Sequence, residues 1–134
     1  MKQELNMTIV PVYTALLAIF FMFLSYKVGQ ARKKEKVLIG TGGSVIVERA
    51  MRVQANFAEY TPITLLLLSF LEMKDTNHYL IHFLCLAFTI GRIIHAYGLS
   101  QHNENLRYRM FGMIATIGVI LITSISIIII TFVT

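Results

Sequence analysis

The sequence predicts an all-α membrane protein whose four transmembrane helices form an up-down bundle. Of its 134 residues, 56% are hydrophobic and 14% are charged, and the mean hydropathy is +0.68. This composition is too apolar for a soluble domain of such a size. The apolar residues form four runs of about 20 or more, the length that crosses a hydrocarbon core about 30 Å thick. The predicted spans cover residues 7–26, 45–73, 78–99 and 108–132 of a single domain.

Each span has a recognisable beginning or internal feature. The first is followed by lysine rather than by a small-residue cleavage site, so we interpret it as a retained span and not as a signal peptide. Ser44 ends a glycine-containing turn and is a candidate N-cap for the second helix, in which Pro62 predicts a kink. In the fourth span, small residues predict close approach to a neighbouring helix; they are Gly112, Ala115 and Gly118.

The distribution of charge predicts the orientation. The net charge is +5, and all of it arises between residues 27 and 52, where lysines and arginines outnumber two glutamates. A basic connection between hydrophobic spans marks the cytoplasmic side. We therefore expect loops 27–44 and 100–107 to be cytoplasmic and both termini to be outside. Basic loops of this kind do not indicate a nucleic-acid partner.

A polar stripe on the second helix is the strongest functional signal. At about 100° per residue, its side chains fall within an arc of roughly 80°; they are Arg49, Arg52, Asn56 and Glu59. In a membrane, each unpaired charge costs about 2.5–3.5 kcal/mol on insertion scales. The stripe therefore predicts a binding site.

Antiparallel packing should bring further polar residues to the same depth. Glu59 and Arg92 lie about two turns from the cytoplasmic ends of their helices. The simplest interpretation is a structural Glu59–Arg92 ion pair between two helices. The surplus of cations instead favours a ligand with several anionic groups and one cationic group. The residues expected to converge are Arg32, Arg52, Asn56, Glu59, Arg92, His95 and Arg107.

Two motifs resemble those of one membrane family. The pattern R-x-x-R-x-Q-x-N-x-x-E-Y-x-P, from Arg49 to Pro62, resembles the second-helix signature of the MAPEG family, the membrane-associated proteins of eicosanoid and glutathione metabolism. G-R-I-I-H-A-Y-G, from Gly91 to Gly98, resembles the third helix of its microsomal glutathione transferases. Because bacterial members share the N-F-A-E-Y and H-A-Y-G runs, the resemblance implies a bacterial inner-membrane protein.

The resemblance also implies a function and a site. It implies a homotrimer with three glutathione sites between neighbouring subunits, and a transferase or peroxidase acting on lipophilic electrophiles or lipid hydroperoxides. Arg107 would stabilise the thiolate, with Arg109 as the alternative. His95 and Leu99 replace tyrosines of the leukotriene-forming enzymes, which favours a broader detoxification activity. The glutathione-binding positions would be Arg32, Arg52, Gln54, Asn56, Glu59, Tyr60, Arg92 and His95.

Two other function classes remain as alternatives. One is a non-catalytic, trimeric lipid-binding or helper protein, which would have a lipid cleft but no activated thiol. The other is a small transporter that uses Glu59 and Arg92 and would show ion-coupled flux. The retained polar stripe favours the transferase.

The remaining polar and aromatic residues fit structural roles. We expect Cys85 to be a buried small apolar residue, and His78 and His82 are too few for a metal site, so no metal is predicted. His95 is either a core histidine or a direct contact of glutathione. Tyr97 and Tyr108 are candidate anchors at the membrane interface. The first helix also carries aromatic residues expected to face lipid or core, namely Phe20, Phe21 and Phe23.

Overall fold

Four antiparallel helices form the bundle that the sequence predicts. The computed structural model describes residues 6–133, within which no strand occurs. Helices α1, α3 and α4 are long and apolar enough to cross a membrane by length and composition, and the more polar α2 completes the bundle. The chain is thus an all-α integral membrane protein. The helices are α1 (Val10–Glu35), α2 (Val45–Met73), α3 (His78–Ser100) and α4 (Leu106–Val133).

Helix α1 is longer than the predicted first span. It continues nine residues past Tyr26, so much of the segment expected to be a loop is helical. Most residues of this extension are glutamine, alanine, arginine, lysine or glutamate, which are strong helix formers. The helix ends where Lys36 adopts a left-handed conformation, with φ of 56°, and its backbone N–H donates to the carbonyl of Arg32.

The caps of α2 and α3 follow from the local sequence. The Ser44 hydroxyl accepts a hydrogen bond from the backbone N–H of Val47 at 3.3 Å, which confirms the predicted N-cap. Asn77 caps α3 in the same way by accepting from Tyr79 N–H at 2.9 Å. Helix α2 runs through Pro62 to Met73. The connections left between the helices are short, as an up-down bundle requires.

A long-range contact caps the beginning of α1. The carboxylate of Glu72, at the far end of α2, accepts hydrogen bonds from the backbone N–H groups of Thr8, Ile9 and Val10 at 2.9, 2.7 and 2.8 Å. The first N–H groups of a helix have no partner within the helix, and its positive dipole end favours an anion. Glu72 therefore joins two helices while buried to 5% exposure.

Helices α3 and α4 approach most closely through small residues. A Cβ added at Gly112 would lie 2.5 Å from both the Gly91 carbonyl oxygen and the Cβ of His95, and one at Gly91 would lie 2.9 Å from the Cβ of Ala115. The predicted close approach is therefore confirmed at Gly112 and Ala115. It is wrong at Gly118, where an added Cβ meets nothing within 4 Å, because Gly118 lies about 240° around the helix from Gly112.

The core and the outer surface both fit a bilayer. Phe57 of α2 packs against the rings of Phe20 and Phe21 of α1, with centroids 5.6 and 5.8 Å away. Cys85 is 1% exposed, as predicted for a buried apolar residue. The outward faces of all four helices carry large apolar side chains, an extent of exposed hydrophobic surface that soluble monomers do not show.

Candidate functional site

The polar stripe of α2 presents an ion pair on the outside of the bundle. Arg52 Nη1 lies 3.7 Å from Glu59 Oε1, and the two side chains are 55% and 53% exposed. At that distance the pair is held by charge rather than by a short hydrogen bond. Most of the donor and acceptor capacity of both groups is therefore available to another molecule.

Arg92 of α3 is buried against the inward side of α2. It is 1% exposed, and its Nη1 donates to Asn56 Oδ1 at 2.8 Å. The guanidinium carbon lies 5.5 Å from the centroid of the Tyr60 ring, a cation–π distance, and Nη2 lies 3.5 Å from the sulfur of Met113. The structure thus brings together the predicted residues Asn56, Tyr60 and Arg92.

Arg92 is a buried cation without an anionic partner. Among residues 6–133, no ion pair joins it to a carboxylate, and its Nε makes no hydrogen bond. The simplest interpretation from sequence, a Glu59–Arg92 pair, is therefore wrong. The reason is the direction of the side chains around α2. Asn56 and Tyr60 face Arg92 of α3, whereas Glu59 points away from α3 and toward Arg52.

Arg32 and Gln54 lie on a different side of α2 from Arg52 and Glu59. Gln54 Nε2 donates to the hydroxyl of Ser25 on α1 at 2.8 Å. Arg32 Nη1 donates to the carbonyl of Gly40 at 2.8 Å and so fastens the α1–α2 connection. Positions 52 and 54 are about 200° apart around a helix. Within one chain these residues do not join the Arg52–Glu59 pair.

The Arg49 side chain contacts a cluster around Glu104 rather than the other residues of the polar stripe. The sequence did not predict this cluster. Its Nη1 donates to the carbonyl of Leu99 at 3.0 Å and lies 3.5 Å from Glu104 Oε1. Arg109 holds the two oxygens of the same carboxylate at 3.1 and 3.3 Å. These residues and Arg52 line a small cavity of about 250 Å³. The only hint in the sequence is a single acidic residue in the connection that precedes two arginines.

The two candidate arginines for thiol activation differ in their surroundings. Arg109 is bound to Glu104, as described above. Arg107 is exposed, and its side chain makes no hydrogen bond or ion pair with residues 6–133, while its backbone N–H donates to Asn105 at 3.1 Å. Arg107 therefore has a guanidinium that is open to a ligand.

Two of the four histidines, His82 and His95, contact neighbouring helices. His95 is 4% exposed at the close contact with Gly112. His82 Nδ1 lies 3.2 Å from the hydroxyl of Tyr13. Within residues 6–133, no three histidine, cysteine or acidic side chains are placed to hold a metal ion. Tyr97 and Tyr108 are exposed and pack edge to face at 5.7 Å.

Fold and site together define a four-helix integral membrane protein with a polar, arginine-rich site built on α2 and α3. Comparison with known proteins places it more narrowly. The model of the MAPEG family matches residues 10–129, and the chain belongs to that family. It is also 34% identical over 104 residues to the inner membrane protein YecN of Escherichia coli K12, covering 78% of each chain. The match to YecN of Escherichia coli O6:H1 has the same identity and coverage.

Proposed function

We propose that the chain is an integral membrane glutathione transferase, with a further capacity to act as a glutathione peroxidase. It would bind glutathione, stabilise the thiolate, and direct it at a lipophilic electrophile or a lipid hydroperoxide in a detoxification reaction. The observation that carries the proposal is an exposed Arg52–Glu59 ion pair beside Asn56, whose side chain accepts a hydrogen bond from the buried Arg92. Within residues 6–133, Arg92 has no carboxylate partner.

The charges of the site are complementary to those of glutathione. Glutathione carries two carboxylates, one ammonium group and amide groups. Arginines bind carboxylates with paired hydrogen bonds, and Glu59 supplies an acceptor for the ammonium. Because Asn56 Oδ1 already accepts from Arg92, its amide N–H groups remain to donate to a ligand carbonyl. A ligand carboxylate near Arg92 would also provide the anion that this buried cation lacks within the chain.

A homotrimer with three sites between neighbouring subunits explains the residues that face elsewhere. Arg32 and Gln54 lie on the side of α2 remote from Arg52 and Glu59. In a ring of subunits they would approach the stripe of a neighbour. The 53% exposure of the Glu59 side chain on a membrane helix is consistent with cover by a second subunit and a ligand.

His95 is buried against Gly112, which favours a core role over direct contact with glutathione.

Arg107 is the better candidate for stabilising the thiolate. A free thiol is mostly protonated at neutral pH, and a nearby guanidinium favours the nucleophilic thiolate. The charge of Arg109 is already offset by Glu104, whereas Arg107 keeps its donors. We place the protein in a bacterial inner membrane with both termini outside and the α1–α2 and α3–α4 connections in the cytoplasm, an arrangement supported by the basic residues at the end of α1 and at the beginnings of α2 and α4.

The proposal is tested by turnover with glutathione and an activated aryl halide. The wild type should conjugate glutathione, and Arg107→Ala should lower kcat by at least about tenfold with little change in the Kd for glutathione, as expected for a group that acts mainly in the transition state. Arg109→Ala is the matched control two residues along the same helix and should retain most of kcat. Loss of turnover in Arg109→Ala alone would move the role there. No turnover in a folded wild type with either an electrophile or a lipid hydroperoxide would favour the non-catalytic lipid-binding protein.

A further inference from the structure

A second, much larger cavity lies on another side of the bundle. It occupies about 1120 Å³ between the second half of α1, the beginning of α2 and the end of α3. Arg52, Asn56 and Glu59 do not line it, and neither do Arg92 or Arg107. The cavity is therefore distinct from the proposed glutathione site.

The walls and the rim of this cavity have opposite character. The walls are apolar and include Phe20, Leu24, Val53 and Ile93. The rim carries basic residues, chiefly from the last turns of α1: Lys27, Lys33 and Lys34, joined by Arg49 of α2. None of the lining residues is acidic. The amino group of Lys27 is held 5.6 Å from the ring centroid of Phe23, so it lies at the boundary between wall and rim.

We propose that this cavity binds an acidic phospholipid taken from the surrounding bilayer. Its acyl chains would cover the apolar walls, and its phosphate would lie among the lysines of the rim. Three observations support this occupant. All charged residues that line the cavity are basic, and basic residues beside a membrane span attract anionic headgroups. The opening lies along membrane-spanning helices, where lipid is the neighbouring molecule. The volume exceeds the roughly 300–1,000 Å³ of small-molecule sites, which favours a lipid with two chains.

The chain offers a direct probe because it contains no tryptophan. Ile93 lines the cavity and is 45% exposed, so Ile93→Trp places a single fluorophore there without disturbing a buried side chain. The detergent-purified full chain is titrated with small amounts of phosphatidylglycerol or phosphatidylcholine bearing the same brominated chains, which quench tryptophan on contact. Ile128→Trp, at an exposed position of α4 outside the cavity, is the matched control.

Phosphatidylglycerol should quench Ile93→Trp at concentrations at least roughly fivefold lower than phosphatidylcholine, the factor that one lysine near an anionic headgroup provides. The Ile128→Trp control should show no such preference. Adding Lys33→Gln and Lys34→Gln to Ile93→Trp should abolish the preference, whereas Lys74→Gln, on the α2–α3 turn, should preserve it. Unchanged elution of the purified variants shows that they remain folded and assembled.

Three results would overturn the proposal. Equal quenching by the two lipids would mean that the lysines select no headgroup. An absence of quenching by both would mean that another copy of the chain covers the cavity. Relief of the phosphatidylglycerol quenching by an equimolar, non-brominated fatty acid would identify a free fatty acid as the occupant. Since no glutathione is present in the assay, these outcomes are independent of the proposed transferase activity.

Discussion

Two of the three glutamates of helix α2, Glu59 and Glu72, have surroundings that differ in almost every respect. Glu72 is 5% exposed, and its carboxylate accepts three short backbone hydrogen bonds from the beginning of α1. The Glu59 side chain is 53% exposed and has one ion pair, at 3.7 Å, with Arg52. A carboxylate with all its partners inside the chain stabilises the fold. One left with unused acceptor capacity on a membrane helix is placed to bind a ligand.

The arginines divide in a related way. Arg109 is neutralised by a carboxylate, and Arg49 shares that carboxylate. Arg92 is buried with only neutral partners, and Arg52 is half-exposed. Burying a charge is unfavourable unless an opposite charge or good hydrogen bonds compensate it. Under the proposed function, a bound glutathione would supply the missing opposite charge to both Arg92 and Glu59, although these two side chains do not contact each other.

The largest expected effect concerns the stability provided by Glu72. Two of the three N–H groups, those of Ile9 and Val10, are buried, and each would cost about 1–3 kcal/mol without a partner, so Glu72→Ala should lower the free energy of unfolding by roughly 2–6 kcal/mol. Glu59→Ala is the matched control on the same helix and should change it by at most about 1 kcal/mol, as for an exposed ion pair. Thermal unfolding in detergent, followed by circular dichroism, measures both. Equal destabilisation by the two variants would remove the distinction between them.

A second effect separates stability from ligand binding at Arg92. Glutathione at 100 times its Kd should stabilise the wild type by about 2.7 kcal/mol. Arg92→Leu should lose most of this gain, because the ligand anion no longer neutralises a buried cation. Lys74→Ala, far from the site, is the control and should keep the gain in full. A normal ligand-induced shift of the unfolding midpoint in Arg92→Leu would show that Arg92 is only structural.

Local features of the fold could be predicted from the sequence, and long-range ones could not. The apolar runs and the Ser44 cap are local, and the structure has them where the sequence placed them. The Glu72 cap joins residues more than 60 positions apart. It depends on where two helix ends meet, which no local pattern specifies. Gly112 and Gly118 are both glycines of α4, so the residue type alone does not distinguish them. The orientation of the helix determines that Gly112, and not Gly118, contacts α3.

The candidate site shows the same limit. Helical spacing determines which residues of the α2 motif share a face, as Arg52 and Glu59 do. Their partners depend on tertiary packing. Arg49 turns to Leu99 and Glu104, and Arg92 meets Asn56 rather than Glu59. Glu104 could not be recognised in advance, because its role depends on two arginines from different helices.

The measurement that tests the central claim most directly is isothermal titration calorimetry of the detergent-purified protein with glutathione, beside Glu59→Ala and Arg52→Ala. Wild-type protein should bind, and each variant should lose about 1.5–3 kcal/mol of binding free energy, the range for hydrogen bonds to charged groups. Their unfolding midpoints should remain close to that of the wild type. Wild-type affinity in both variants, or no binding by a folded wild type, would contradict the assignment of a glutathione site to the exposed face of α2.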